Sequence, residues 1–347
     1  AADAFGQALA LTESTNRYEL ADFSEYNDIF LLHNSSGKLN GVKESIFMEN
    51  IKDYSGRWRW NMVNDFRPQS IESSGIKSYP TANYVNYYGM QNGYPINDMT
   101  KADAESGYDP THPWKNRDPR FYKTIMFDGV KWRNTGGAGG TAELFTGGRE
   151  SEEANEKKGC FTAYMNSKLC PQLMNTFDGY KENNIMILSL MRLADVYLMY
   201  AEATAVGYNS PKGKAATYSL TAEEALNKIR ERAGVAPVLE KFLGSTADFL
   251  SELRRERAVE LSFEGFRFTD LRRWMLLTQY PYTLKTKIEF DRADPNNYNY
   301  DAPEENAIKN LREVVLIERK YTDRHYWYPL PKKDVSMYEG FYQNPGW

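Results

Sequence analysis

A chain of 347 residues is long enough for one large or two ordinary domains, and on folding it can bury about 75% of the surface it exposes when unfolded. Its charges nearly cancel, with 43 Lys and Arg against 47 Asp and Glu and a net charge of −4, which removes the basic face that a non-specific nucleic-acid binder needs. Aromatic content is the unusual quantity: 25 Tyr, 17 Phe and 7 Trp, rings that either lace a core or offer stacking faces to a ligand.

Residues 1–15 predict a helix, with Phe5, Ala8 and Leu9 in helical spacing and no room for a cap before them. The opening AADAFGQALA has no Met and no signal peptide and reads as cut in mid-helix, so the lack of a targeting segment says nothing about location. Residues 24–31 predict a second short helix and 43–51 a strand. From 52 to 180 the pattern is irregular, rich in Gly, Pro, Asn, Asp and aromatics, and such a stretch is usually functional or an irregular platform. Within it, FYKTIMFDGVKW (121–132) predicts two strands joined at Asp128-Gly129, a hairpin dipeptide. The polar, glycine-rich stretch 134–159 reads as a loop or extension. Cys160 and Cys170 either pair or remain two buried thiols. His33, His112 and His325 lie far apart and show no metal-ligand spacing.

Beyond 185 the helical period returns. The apolar run 185–203 carries Arg192, Asp195 and Glu202, which argues against a membrane span. Leu190, Leu193, Val196, Tyr197 and Tyr200 form a helical stripe over 190–206. The helix over 221–234 opens with Thr221 and Glu224 at capping-box spacing and closes on Arg232 and Gly234. Together these predict an antiparallel helical hairpin of the tetratricopeptide kind, in which ~34 residues make one unit. A third helix covers 245–265, capped by Ser245 or Thr246, with Arg257 and Glu260 placed to pair at i,i+3 and Gly265 ending it. A short helix over 266–277 directs Leu271 and Trp274 the same way, and the tail from Tyr326, with Pro329 and Pro331, reads as extended across the body. The fold class expected is therefore mainly α: a tetratricopeptide-like helical scaffold with a large irregular loop-rich region and a few short strands.

Several of these stretches, in this order, resemble the SusD/RagB family of surface lipoproteins. They are RLADVYLMYAEA (192–203), ALNKIRERAGV (225–235), LRRERAVELSFEGFRFTDLRRW (253–274), and YPLPKKDV followed by QNPGW at the terminus. Upstream, YDPTHPWKNRDPRFY (108–122), YELADFSEYNDIF (18–30) and KESIFMEN (43–50) are also similar to it. The resemblance covers nearly the whole chain and lacks the family's N-terminal portion, with its lipidated cysteine and first helices. It implies a single SusD-like domain over 1–347, divided into the end of an N-terminal helical part (1–51), a loop-rich ligand-binding region (52–184), and a C-terminal helical scaffold with its tail (185–347). It makes the charged block at 253–274 a fold determinant. Arg257, Glu260, Glu264, Arg267, Asp270 and Arg272 are expected to neutralise one another, with Phe263, Phe268 and Trp274 filling the core. Asp118 and Arg120 are expected to fix the turn at Pro119.

The function implied is non-catalytic. The resemblance points to a glycan-binding lipoprotein anchored through its N-terminus on the extracellular face of the outer membrane. Such a protein captures oligosaccharides and delivers them to a SusC-like TonB-dependent transporter; a related alternative binds peptides for the same kind of import. No cofactor is implied. Sugar C–H faces lie on aromatic rings and hydroxyls need polar side chains beside them. The candidate platforms are Trp58 and Trp60 with Asn61, Tyr87, Trp114 and Trp132, each of which could otherwise serve the core. No nucleophile elbow, phosphate loop or dinucleotide fingerprint is present, and no carboxylate pair stands in a recognisable catalytic context.

Overall fold

The computed structural model describes residues 1–33, 41–48, 79–134, 140–154, 159–169, 178 and 184–347. The chain opens with helix α1 (Ala2–Thr15), which ends at Asn16 in the left-handed conformation (φ 52°). A 3₁₀ segment, Phe23–Phe30, follows, begun by the Asp22 carboxylate accepting from the Ser24 amide. Strands β1 (Leu31–His33) and β2 (Ser45–Met48) come next, and a helical turn α2 (Ala82–Val85) precedes α3 (Pro119–Thr124). Short strands β3 (Ile125–Met126), β4 (Met165–Asn166), β5 (Asn184–Met186) and β6 (Ser189–Arg192) lead into the main helices α4 (Leu193–Gly207), α5 (Ala222–Ala233), α6 (Thr246–Glu260) and α7 (Phe266–Arg273). A long hairpin, β7 (Leu284–Arg292) with β8 (Ile308–Glu318), and a terminal helix α8 (Lys332–Met337) complete the sequence. The strands pair antiparallel in twos: β1 with β5, β2 with β6, β3 with β4, and β7 with β8. The architecture is mainly α, as expected.

Helix α4 is the hub. It is buried on nearly every side, from Leu193 and Ala194 through Tyr200 and Ala201 to Ala205, and packs against α1, α5 and α6. Its neighbours begin where local chemistry starts them. The Thr221 hydroxyl accepts from the Glu224 amide (3.2 Å) while the Glu224 carboxylate accepts from the Thr221 amide (2.7 Å), a complete capping box, and Gly234 ends α5 at φ 73°. The Ser245 hydroxyl accepts from the Asp248 amide at 3.1 Å and opens α6. This apolar core (Leu9, Leu198, Leu226, Ile229, Phe249, Leu253) lies on one side of α6, and a second core built around Trp114, Phe121, Phe127, Trp132 and Phe290 reaches α6 through Val259.

Between the two cores runs a line of buried ion pairs. Glu252, Glu256 and Glu260 recur at i,i+4 along α6 and are all buried. Alone they would repel one another. Arg230 of α5 bonds Glu252 (2.7 Å) and Glu256 (2.9 Å), and Arg255 bonds Glu252 (2.6 Å). Arg120 of α3 bridges Asp118, Glu256 and Glu260. Arg192 bonds Glu44 (2.5 Å), Glu260 (2.7 Å) and Glu264 (2.8 Å); Arg232 reaches Glu44 and Glu260; and Lys168 bonds Glu264 at 2.6 Å. Six carboxylates (Glu44, Asp118, Glu252, Glu256, Glu260, Glu264) thus meet six cations (Lys168, Arg120, Arg192, Arg230, Arg232, Arg255). Burial disfavours the Glu260 charge, but Arg232, Arg192 and Arg120 outweigh it and hold the carboxyl well below the ordinary glutamate range.

Several sequence expectations are corrected. Arg257 and Glu260 do not pair with each other. Glu260 belongs to the cluster above, while Arg257 bonds Asp195 (2.7 Å) and Asp270 (3.0 Å), tying α6 to α4 and α7. Self-neutralisation within 253–274 is partial: Asp270 pairs with Arg257 and with Arg273. Arg272 instead donates to the Tyr326 carbonyl, and Arg267 sits on tyrosine rings. Phe268 is exposed rather than in the core. The hairpin predicted over 121–132 does not form. Asp118 accepts from the Arg120 amide and Pro119 occupies the first helical position, so the segment starts as α3, and β3 then pairs with β4. Asp128-Gly129 still turns the chain, back onto Ala142, with the Asp128 carboxylate buried against Arg292. Gly129 (φ 83°) is required there, since a Cβ would lie 2.5 Å from the Tyr298 ring. Leu190 lies in β6, exposed, and not on the helix. The tail is not extended throughout, because Pro331 precedes α8, and it folds on itself through Gln343 to Leu330 and Asn344 to Tyr328. Cys160 is a buried free thiol; Cys170 lies outside the described residues.

Two outcomes follow. Arg257→Ala leaves Asp195 buried without its cation and Asp270 with Arg273 alone, so denaturant titration is expected to show a loss of about 3–5 kcal/mol. A loss below about 1 kcal/mol would mean that the pair behaves as a solvated one. The carboxyls of Glu252, Glu256 and Glu260 lie below their ordinary value of 4.5, so their contribution is complete above pH 4.5 and disappears as pH falls below it. Stability should be flat from about pH 6 to 5 and decline under further acidification. Glu260→Gln should be less stable at neutral pH and decline less steeply; equal acid slopes in the two proteins would contradict the assignment.

Candidate functional site

Where the helical turn α2 meets α6, α7 and the β7–β8 hairpin, the surface opens into a cleft of about 490 Å³. Its floor is set by Asn83, which donates from Nδ2 to the Leu284 carbonyl (2.8 Å) while its amide donates to Thr286 Oγ1 (2.9 Å). Thr286 in turn donates to Glu313 at 2.6 Å, so turn and hairpin are locked together. On the opposite wall Arg255 donates to Glu252 and to the Gly93 carbonyl (2.9 Å). Gly89 admits this arginine: a Cβ there would sit 2.7 Å from Arg255 Nη1 and 2.3 Å from the Tyr94 carbonyl oxygen.

Three tyrosines line the cleft. Tyr87 is partly buried, meets Tyr84 edge-to-face at 5.7 Å, and carries the Arg267 guanidinium 4.7 Å from its ring centre. The same guanidinium lies 5.5 Å from the Tyr282 ring. Burial raises the Tyr87 hydroxyl pKa, with Arg267 opposing it, so the phenol stays neutral. Tyr280, at the rim, is 76% exposed. Asn86 Oδ1, Arg254 Nε and Arg267 Nη1 belong to lining residues, are shielded from solvent, and have no hydrogen-bond partner among the described residues. Shielded polar atoms of this kind are ordinarily bonded. Exposed ring, fixed guanidinium and amide oxygen together can hold a ligand with a flat apolar face and several oxygens.

A wider groove of about 810 Å³ runs between α1 and α4, lined by Phe5, Met199, Val206 and Tyr208. Its arginines are already paired, Arg273 with Glu202 and Asp270, and Arg257 with Asp195 and Asp270. The cleft beside Tyr87 is the better candidate for that reason.

Of the residues predicted from sequence, Tyr87 lies in this cleft, in the turn that follows α2. Trp114 is fully buried, 5.0 Å from Phe127 and 5.3 Å from Phe290, with its indole N–H directed to Tyr164. Trp132 is buried in the same core. Neither can offer a ring face to a ligand. Trp58, Trp60 and Asn61 lie outside the described residues. Sequence reasoning missed Tyr280, Tyr282, Arg254, Arg255 and Arg267. The local signal for the first two was QYPY (279–282), two tyrosines about a proline just past a helix.

A family model described as the SusD family matches residues 43–347. The chain belongs to the SusD family. Among solved structures, it is similar to a SusD-like protein from Bacteroides fragilis, at 22% identity and TM-score 0.67, over 95% of this chain and 59% of that one. A SusD-like carbohydrate binding protein from the same species matches at 20% identity and TM-score 0.62, over 96% and 59% of the two chains. The surface glycan-binding protein A from Bacteroides fluxus matches at 19% identity and TM-score 0.52, over 100% and 58%. This SusD-family chain thus spans about three fifths of the length of those solved structures. No curated protein matches it. No helix among the described residues is long and apolar enough to cross a membrane.

Proposed function

We propose that this SusD-family protein captures oligosaccharides at the outer-membrane surface without transforming them, and that the cleft beside Tyr87 is a recognition site. The observation that carries the reading is the cleft itself: an exposed tyrosine face at Tyr280 beside guanidinium groups and amides held rigid by the fold. A sugar ring covers such a phenol with its C–H face while its hydroxyls meet the fixed polar groups, and the rigid rings lose little rotamer entropy on binding. Two solved proteins of the same fold are described as carbohydrate-binding and surface glycan-binding. Anchoring by an N-terminal lipid on the extracellular face, and delivery to a SusC-like TonB-dependent transporter, belong to the same proposal. Trp58, Trp60 and Asn61 stand in it as further candidate contacts.

Calorimetric titration of the intact protein with a panel of oligosaccharides and peptides tests the reading. Binding of at least one glycan, with the ligand recovered unchanged, is expected. Tyr280→Ala should weaken that binding about tenfold, equivalent to about 1.4 kcal/mol, with its melting temperature preserved because the ring is exposed. Glycan binding insensitive to this change removes the cleft from the proposal. Binding of peptides alone would replace glycan capture with peptide capture, and ligand turnover would make the protein an enzyme.

A further inference from the structure

We propose that the cleft selects acidic glycans, with a carboxylate or sulfate group of the sugar held by Arg267 and Arg254. This rests on the proposed glycan-binding reading and names its substrate class.

Charge accounting in the cleft leads there. The arginines between the two cores are matched by carboxylates: Arg120 by three, Arg192 by three, Arg230 and Arg232 by two each. Arg230 and Arg232 each leave one nitrogen unbonded, but their charges are answered. Arg254 and Arg267 differ. Their guanidinium groups rest on aromatic rings, Arg254 at 5.4 Å from Trp274 and Arg267 between Tyr87 and Tyr282, and each keeps a shielded N–H without an acceptor among the described residues. The acids lining the cleft do not supply one. Glu252 is held by Arg230 and Arg255, and Glu313, which accepts from the neutral Thr286 hydroxyl, keeps its charge but bonds neither arginine. Three arginines (254, 255 and 267) against two carboxylates (Glu252 and Glu313) leave the lining one positive charge in excess.

The surplus is felt next door. Lys285, on β7, has its pKa pushed down to about 8, first by burial and then by Arg319 and Arg267. An anion placed beside Arg267 would relieve that repulsion. The chemistry of the two arginines also favours such a group over hydroxyls alone. A planar guanidinium presents parallel N–H donors that match two oxygens of a carboxylate or sulfate, and those charge-assisted bonds are roughly twice as strong as neutral ones. Stacking between two tyrosines fixes the plane of Arg267 before the ligand arrives, which lowers the entropy cost of the contact. The exposed Tyr280 ring then takes the sugar face.

The experiment is a calorimetric titration of the intact protein at low and high NaCl. The probes are oligogalacturonate, alginate, chondroitin sulfate and carrageenan oligosaccharides, with methyl-esterified, carboxyl-reduced or desulfated forms as neutral partners and xylan, mannan and starch oligosaccharides as uncharged sugars. Expected is a preference of at least tenfold for an acidic glycan over its neutral partner, weakened by salt and lost in Arg267→Gln. Arg267→Lys, which keeps the charge but not the fork, should recover part of it. Arg254→Gln, read beside a melting curve, serves if Arg267→Gln fails to fold. The uronate and sulfate arms identify which anion is held. A tightest ligand that is uncharged, with its affinity reduced by Tyr280→Ala but no acid preference, overturns the inference and leaves glycan binding standing. An acid preference untouched by both arginine variants also overturns it. Absence of any glycan binding overturns both proposals.

Discussion

Glu260 is the residue on which the rest of the structure depends. Its carboxylate is fully buried and bonded to Arg120, Arg192 and Arg232, contributed by α3, by β6 and by α5. Its backbone carbonyl accepts from Tyr26, Lys168 and Arg192 as well. No single helix can carry a line of buried glutamates by itself. α6 becomes stable only when elements distant in sequence deliver their cations, so the ion cluster obliges the two apolar cores to assemble on opposite sides of one helix. A hydrophobic seam would hold the same elements with less directional preference. A buried carboxylate accepts only partners that arrive in the right place, because an unpaired one costs several kcal/mol.

The same helix serves a second purpose through its outer face. Glu252, Glu256 and Glu260 face inward, and Arg254, offset from them by two residues, lines the cleft. Arg255 joins the two systems, since it neutralises Glu252 while donating to the Gly93 carbonyl beside the cleft wall. Of the ion cluster only Glu252 and Arg255 reach the cleft lining, and they are paired with each other. Side chains at 254, 267 and 280 can change with little effect on the ion cluster. Changes at 120, 192 or 260 alter the whole fold. The candidate cleft is not confined to the irregular region before 185, because it takes its walls from the helical half too.

What was legible in the sequence was local. The capping box at Thr221 and Glu224, the Ser245 cap and the Gly234 terminus are each written within a few residues, and each appears as read. Partner choice was not legible. Spacing pairs Arg257 with Glu260, yet a helical i,i+3 pair is worth only about 0.2–0.5 kcal/mol, far less than a buried charge needs, so tertiary partners prevailed. The hairpin β7–β8 falls in a stretch given no element, although Thr286, Ile288, Phe290 and Arg292 alternate inward. The inward arginine disguised that period, as its charge is answered by Asp128, far upstream.

The site was the hardest to read for a related reason. Tryptophan size drew attention to Trp114 and Trp132, but a large ring beside other aromatics gains most from burial, and both are in the core. Tyr87 was found because it lies in a tyrosine cluster. The other contributors come from 251–267, 279–286 and 313–315, segments brought together by a hairpin that had not been recognised. An unanswered charge is a property of a folded surface. Arginines at 254 and 267 look like the rest of a highly charged block until its other cations are given their partners, carboxylates for Arg255, Arg257 and Arg273 and a backbone carbonyl for Arg272, and only then do these two stand apart.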